Sequence, residues 1–544
     1  METDVECSLI LELPENDPLF KKKKVLLQNK GFGCRECIYF KNALSTPQIH
    51  TTLEVMLQIS RIIHLDEAEV YFDGSNMHSQ VDFYSPRNEL ESLNSILSLI
   101  DILLLRGKHN GKNALQDLRD ETLKGIRDFG EKYRVESRIV ENCSCEKEMS
   151  LLEWGESNGV RSKLQISYVE GAGRGAVSIE DLEVGDIALE IPLSIIISED
   201  LVHESDMFPI LEKIDGISSE TMLLLWSMKE RYNFSSKFKI YFDTLPEDFN
   251  TGLSFGVDAI IALDGTLLLD EIIQAKEHLR VQYGQLFPAL CKDHPHIFQE
   301  DIYTWEQFLW ACELWYSNGM RVMFADGKQR TCLIPIAGFL NHSPYPHIMR
   351  YGRVDSATNS LKFPVSRPCS AGEQCFLSYG NFSSSHLVTF YGFLPQGDNY
   401  YDVIPLDIDA AQTDCPEGWP KSNWMTHMVR GTWLSKNHEI FHYGLPPPLL
   451  DYLRRIRNPM LHAGTLNMEQ LEIEMEVLGD LLSTFGGMMG GLGASNIEER
   501  KSSSWDVKLA VEFKDVQRRI VSSIITSCYA GRGLVEGELC KCND

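Results

Sequence analysis

Short apolar runs punctuated by Gly, Pro, Asn and Ser occupy two separate stretches of the sequence, about 164–197 and 333–406, with roughly 120 residues of helical periodicity between them. An interrupted β domain follows from that arrangement. In the first stretch Leu164 to Val169 and Ile187 to Ile197 read as strands, separated by a glycine loop from Gly171 to Gly175 and a Gly185-Asp186 turn. In the insertion, about 206–330, Ile272, Ile273, Leu279, Tyr283 and Leu286 share one helical face and Trp305, Phe308, Leu309 and Cys312 another, with Thr304 and Gln307 spaced as a capping box. The chain before about 150 reads as mostly helical, broken at Asp73-Gly74, Ser85-Pro86 and Gly107 to Gly111. Beyond about 413 the helical pattern returns, with Gly486 to Gly493 as a loop and Phe513, Val516, Ile520 and Ile524 at helical spacing. The expectation is an α+β protein in three parts: a helical extension over 1–150, short strands split by a helical insertion over 151–412, and an all-α unit over 413–544.

At 544 residues the chain is long enough for several domain-sized units, and its 43% of apolar residues can fill their cores. Its 78 acidic residues against 51 basic ones leave a formal charge of −27. Such a surface repels polyanions, which disfavours dedicated nucleic-acid binding, and attracts a basic partner such as a lysine-rich peptide. The acids Glu2, Asp4, Glu6, Glu12, Glu15 and Asp17, with no base among them, are the opposite of a signal or transit peptide. The stretch Leu93 to Leu105 is interrupted by Asn94, Ser95, Ser98 and Asp101 and is shorter than the ~20 residues a span needs, so it reads as a buried helix and no membrane contact is expected. Fourteen cysteines without an export signal point to reduced thiols in cytosol or nucleus. The pairs Cys34/Cys37, Cys143/Cys145 and Cys540/Cys542 lack a second pair at finger spacing, so no metal is expected. Lys21 to Lys24, flanked by apolar residues, read as a solvated helix face. A monomer is the expected state.

The segment Gly171-Ala-Gly173-Arg-Gly175-Ala176 follows an apparent strand and satisfies a dinucleotide-binding pattern, with Glu190 near the ribose-binding position. A nicotinamide oxidoreductase is therefore one reading. Against it, Val177 to Val184 make a poor crossover helix and no run of βα units follows. A plain turn, or a loop whose backbone amides meet another cofactor, are the other two.

A second cluster decides among them: Pro335-Ile-Ala-Gly-Phe-Leu-Asn341-His342-Ser343, then Glu373-Gln-Cys-Phe-Leu-Ser-Tyr379-Gly380, then Leu387 and Phe390-Tyr391-Gly392-Phe393. This resembles the SET-domain methyltransferases. The order of glycine loop, helical insertion, Asn-His, Ser-Tyr-Gly, Tyr-Gly-Phe and helical C-terminal region is similar to the Rubisco large-subunit methyltransferase class, which includes the actin-histidine methyltransferase. The ending Glu512-Phe-Lys-Asp-Val-Gln517-Arg-Arg-Ile520 resembles it too, so the likeness covers about 151–530.

The resemblance implies S-adenosylmethionine as cofactor and methylation of a lysine, or alternatively a histidine, in a nonhistone protein. It implies Tyr379 as the catalytic residue, and Gly173, Arg174, Asn341, His342, Tyr379, Tyr391 and Phe393 as cofactor contacts. It further implies that the helical C-terminal domain binds the protein substrate, where Trp419, Trp424, Trp433 and Tyr443 are candidate contacts. Three positions depart from the class: Ser317-Asn318 stands where Ser-Arg or Thr-Arg is usual, Gly338 where Asp is usual, and Ser384 where Asn is usual. The first removes a bidentate partner for the cofactor carboxylate, and Arg321, one turn on, is a candidate replacement. A SET-fold interaction protein without catalysis is the alternative those departures favour.

Overall fold

In a computed structural model of the chain, which describes residues 7–40, 44–73, 85–106, 112–140, 143, 145–406, 426–458, 466–494 and 504–543, the strand Leu164–Val169 turns back on an antiparallel partner, Gly173–Ser178. Gly171 and Gly173, at φ 76° and 71°, occupy the left-handed conformation this turn requires. The dinucleotide reading fails here. No helix follows the glycine segment, and Glu190 lies inside a sheet, accepting a hydrogen bond from Ser360 Oγ at 2.6 Å.

That sheet reunites the two halves of the sequence. Its four antiparallel strands lie in the order Arg161–Ser162, Ile187–Pro192, Ser360–Pro364, Val354–Asp355. Leu361 pairs with Ile191 and Phe363 with Leu189, all four buried, so the apolar register fixes the pairing across the insertion. The insertion helices Ser219–Tyr232 and Trp305–Asn318 share the core of this β region through Leu225, Met228, Phe308 and Cys312. Thr304 caps the second helix by accepting the Gln307 N–H. Ile273, expected on the buried face with Ile272, is 47% exposed.

Residues before 150 form their own core, built from helices and from an antiparallel pair of strands, Cys7–Glu12 with Arg35–Phe40, that helical periodicity did not suggest. The helix Pro86–Leu105 buries Leu93, Ile96, Leu97 and Ile100 but leaves Leu105 in solvent, so it is amphipathic rather than enclosed. Lys23 departs from the expected solvated face: it is buried, its Nζ held by Asp17 Oδ2 (2.7 Å) and Ile63 O (2.8 Å). This unit lies against the β region through stacked Tyr133 and Tyr345 (centroids 4.4 Å apart) and the bond from Asn94 Nδ2 to Ser366 O (3.0 Å).

The C-terminal part is not all helical. Val403–Leu406 and His427–Arg430 pair antiparallel before the helices Met468–Leu492 and Trp505–Asn543 begin. Gly486 to Gly491 lie inside the first of these helices instead of forming a loop, which ends only at Gly493, φ 63°. Gly265, φ 81°, is the residue pressed against this helix: a Cβ on it would strike the Gly491 carbonyl. Leu509, Ala510 and Phe513 of the last helix pack with Phe255, Leu268, Ile272 and Val388, so one core spans the boundary placed at 412/413. Among the described residues no helix is long and apolar enough to cross a membrane.

Candidate active site

Backbone pairing brings the two downstream motifs together. The Leu377 N–H donates to Asn341 O (2.8 Å) and the Ser343 N–H to Leu377 O (3.1 Å). Asn341-His342 therefore lies beside Ser378-Tyr379. The Tyr379 N–H donates to His342 Nδ1 (3.1 Å), which places the proton of the neutral ring on Nε2. Burial lowers the His342 pKa to about 4, so the imidazole is uncharged at neutral pH.

The Tyr379 hydroxyl donates to Leu340 O (3.0 Å). Desolvation, with Tyr391 and Tyr351 close by, raises its pKa and keeps it protonated. Tyr391 stacks on Tyr379 with centroids 5.0 Å apart, and Phe393 stands 6.4 Å from Tyr391 and 6.3 Å from His342. These four rings form one aromatic wall. The helix Ser384–Tyr391 delivers Tyr391 to it, and the glycine that follows has a physical reason: Gly392 is left-handed at φ 74°, and a Cβ there would meet Asn250 O. Ser384 anchors the start of that helix, its N–H and Oγ donating to the two oxygens of Asp402 (2.6 and 2.7 Å). Burial of Asp402 still raises its pKa to about 6.

Asn341 ties in the glycine hairpin, its Nδ2 donating to Arg174 O (3.0 Å) and to Gln374 Oε1 (2.6 Å). A Cβ on Gly175 would collide with that same pair of side chains. Gly173 and Arg174 are thereby brought to the second motif by their backbone. The Arg174 guanidinium is engaged elsewhere, by Glu148 Oε1 (2.8 Å) and Thr244 O, with its charge over the Phe339 ring. Ile336, just before this segment, is a β-branched residue at φ 73°, a strained conformation held beside Gly155.

Ser317, Asn318, Met320, Gly338, Tyr379 and Tyr391 line a small cavity with Tyr351 and Leu377. Asn318 Oδ1 lies 3.1 Å from the position a Cβ on Gly338 would take. Two departures from the class are therefore one local feature. Arg321 does not replace the absent arginine: on the strand Met320–Met323 it is exposed, while Met320 and Val322 are buried on the other side. Two contributors escaped the sequence. Gln374 sits unmarked within the Glu373–Gly380 motif, and Tyr351, whose hydroxyl donates to Ser378 O (3.0 Å) and whose pKa burial raises to about 12, carries no motif at all.

No family model matches the chain. It is 26% identical over 274 residues to the chloroplastic [fructose-bisphosphate aldolase]-lysine N-methyltransferase of Arabidopsis thaliana, covering 48% of this chain and 55% of that protein. It is 23% identical over 272 residues to the actin-histidine N-methyltransferase of Rhinolophus ferrumequinum, covering 48% and 45%. To the chloroplastic ribulose-1,5-bisphosphate carboxylase/oxygenase large subunit N-methyltransferase of Pisum sativum it is 24% identical over 320 residues, covering 56% and 62%. The chain thus spans about half the length of the curated relatives it matches. Among solved structures, the SET domain of LSMT bound to lysine and AdoHcy superposes with a TM-score of 0.54 at 18% identity, over 73% of this chain and 95% of that one. Rubisco LSMT bound to AdoMet gives 0.52 at 18% identity over 74% and 96%. The fold is that of the LSMT SET domain.

Proposed function

We propose that this chain, a distant homologue of the Rubisco LSMT-like SET-domain methyltransferases, is an S-adenosylmethionine-dependent protein N-methyltransferase acting on a lysine of a nonhistone protein. The observation that carries this reading is the convergence of Tyr379, Tyr391, His342 and Phe393 on one side of a hairpin that Asn341 holds in place. The cofactor, when bound, supplies an electrophilic methyl group on a sulfonium. The residues present fit it in most respects. Nothing stands where a Cβ would be at Gly171 or Gly173, which leaves the hairpin backbone open to approach. His342 has an Nε2–H to donate, and the faces of Tyr391 and Phe393 suit a cation. For the carboxylate end the cavity offers only the neutral groups of Ser317 and Asn318, so weaker cofactor binding is expected than an arginine would give.

The chain's own residues would do the rest. A lysine amine, which ordinarily titrates at about 10.4, has no free lone pair while charged, and a site walled by Tyr351, Tyr379, Tyr391 and Leu377 favours the neutral amine by desolvation. The Tyr379 hydroxyl and the Leu340 carbonyl it donates to are the polar groups that would orient the acceptor nitrogen. Lysine is preferred over histidine because the strongly acidic chain attracts lysine-rich segments and because the aldolase-directed relative methylates lysine. The C-terminal helical region is the proposed site of substrate recognition; of its candidate contacts Trp433 is exposed, Tyr443 is buried with its hydroxyl donating to Glu474 Oε2 (3.0 Å), and Trp419 and Trp424 lie outside the described residues.

Transfer of labelled methyl groups from the cofactor into fractionated protein extract tests the reading, followed by the pH profile on the identified target. A lysine acceptor requires a rate that climbs from about pH 7 towards 9, whereas a histidine acceptor, which ordinarily titrates near 6.5, gives a plateau above about 7. The neutral pair at 318 and 338 favours one second reading, a SET-fold interaction protein without catalysis. Folded protein that binds partners in an extract but transfers no label selects it.

A further inference from the structure

Behind the segment that carries Gln374 and Tyr379 lies a group of side chains the proposed chemistry does not use. The ligand atoms of His347, Cys369 and Cys375 all fall within 4.8 Å of one another. These residues are 0%, 1% and 0% exposed, and Glu373 beside them is 8% exposed. Glu373 Oε1 stands 3.6 Å from His347 Nε2, yet neither atom has a hydrogen-bond partner. The other carboxylate oxygen accepts the Ser370 N–H (3.1 Å). Buried polar atoms are ordinarily satisfied, so two orphans 3.6 Å apart beside two buried thiols ask for a ligand. Two thiols and an imidazole are three of the four donors a tetrahedral zinc takes; the Glu373 carboxylate, 3.6 Å from the imidazole but outside that 4.8 Å group, would turn toward the ion to supply the fourth.

We propose that His347, Cys369 and Cys375 bind one zinc ion, with the Glu373 carboxylate turned inward as the fourth ligand. The charges close: a divalent ion with two thiolates and one carboxylate carries −1, and the buried Arg367 guanidinium, whose charge acts on Glu373, Cys369 and Cys375, cancels it. Arg367 also retains an unpartnered Nη2 among the described residues. Ligation has a stated proton balance. The Phe376 N–H donates to His347 Nδ1 (3.0 Å), so the ring proton of the metal-free protein is on Nε2. Binding through Nε2 moves that proton to Nδ1, the Phe376 amide gives up its bond, and the two thiols release their protons to solvent. The shift leaves the Phe376 N–H and the new Nδ1–H as two buried donors facing each other, a cost that the binding of a thiolate-held zinc has to outweigh. The ion would brace the chain at Cys375, next to the Gln374 that holds Asn341.

The test uses the tag-free full-length protein, made with zinc in the medium and purified under reducing conditions. Metal analysis should find about one zinc per chain, and the cobalt(II)-substituted protein should show thiolate charge transfer with tetrahedral d–d bands. Cys143→Ser, Cys540→Ser and Cys542→Ser, at exposed positions, should leave both signals intact. Cys375→Ser should abolish them. Since that variant can misfold, Glu373→Gln gives the second reading: it should lose zinc to a competing chelator at least about tenfold faster. Wild-type protein that neither contains zinc nor takes up cobalt with thiolate bands overturns the proposal. So does zinc that follows any other cysteine, or a Cys369–Cys375 disulfide in the anaerobically isolated protein. None of these signals depends on methyl transfer.

Discussion

Asn318 and Gly338, at the positions where the resemblance expects an arginine and an aspartate, are neighbours, with Asn318 Oδ1 3.1 Å from where a Cβ on Gly338 would stand, so their effects are coupled. Gly338→Asp alone would set a carboxylate against the Asn318 carbonyl oxygen, and Asn318→Arg alone would place a guanidinium without its acid. Neither single change should tighten cofactor binding. Together they should do so by ~1–3 kcal/mol, the value of a charge-assisted contact, as calorimetry on the four members of the cycle would show. Tyr379→Phe should leave cofactor affinity within about twofold while lowering kcat on the order of 100-fold, because in the proposed reaction it is the hydroxyl that meets the reacting centre. Unchanged turnover would reduce Tyr379 to packing. At this scale the sequence marked Tyr379, Asn341, His342, Tyr391 and Phe393 because each sits in a short motif. It did not mark Gln374 or Tyr351, whose parts depend on partners 33 and 27 residues away that no local pattern identifies.

Elements make a second set of demands. The helix Ser384–Tyr391 ends against Asn250, so Gly392→Ala must both adopt a positive φ and displace a backbone carbonyl. A loss of more than ~3 kcal/mol is expected, visible as a depressed Tm and a displaced Tyr391. In the helix Trp305–Asn318, Glu313 is buried and accepts from Thr251 and Ser254 hydroxyls (2.6 Å each), yet burial raises its pKa to about 7. Below pH 4.5 the acid is neutral in folded and unfolded chains alike. Between 4.5 and 7 only the unfolded chain ionises, so stability falls as pH rises, by about 3 kcal/mol once the folded pKa is passed. Glu313→Gln should therefore melt higher than wild type at about pH 8 and no higher at about pH 4. Strands Leu164–Val169 and Ile187–Pro192 were legible because turn residues bracket them. The pair Cys7–Glu12 and Arg35–Phe40 was not, since leucine-rich helices surround it, and Gly486 to Gly491 misled because a glycine-rich run ordinarily marks a loop, whereas here it continues a helix with open space at each glycine.

For the whole molecule, charge and connectivity set the terms. With −27 formal charges, attraction to a lysine-rich substrate should weaken with salt, so KM for such a peptide should rise severalfold between about 0.05 and 0.3 M NaCl with kcat little changed. The C-terminal helices were legible as a unit by their periodicity, but their joint core with the insertion was not, because it depends on contacts hundreds of residues apart. Removing Trp505–Asn543 would strip Leu509, Ala510 and Phe513 from Ile272 and Val388. Val388 belongs to the helix that carries Tyr391, so cofactor binding should fall along with substrate recognition. A truncated protein with undiminished affinity for the cofactor would contradict this. The split sheet has a consequence during synthesis. Glu190 and its partner Ser360 are 170 residues apart in the chain, so at ~5–20 residues per second the edge of Ile187–Pro192 emerges on the order of 10–30 s before the strand that covers it. Throughout that interval the nascent chain presents Leu189 and Ile191 on an open edge, a ready template for mispairing between neighbouring polysomes and a natural docking point for a ribosome-associated chaperone.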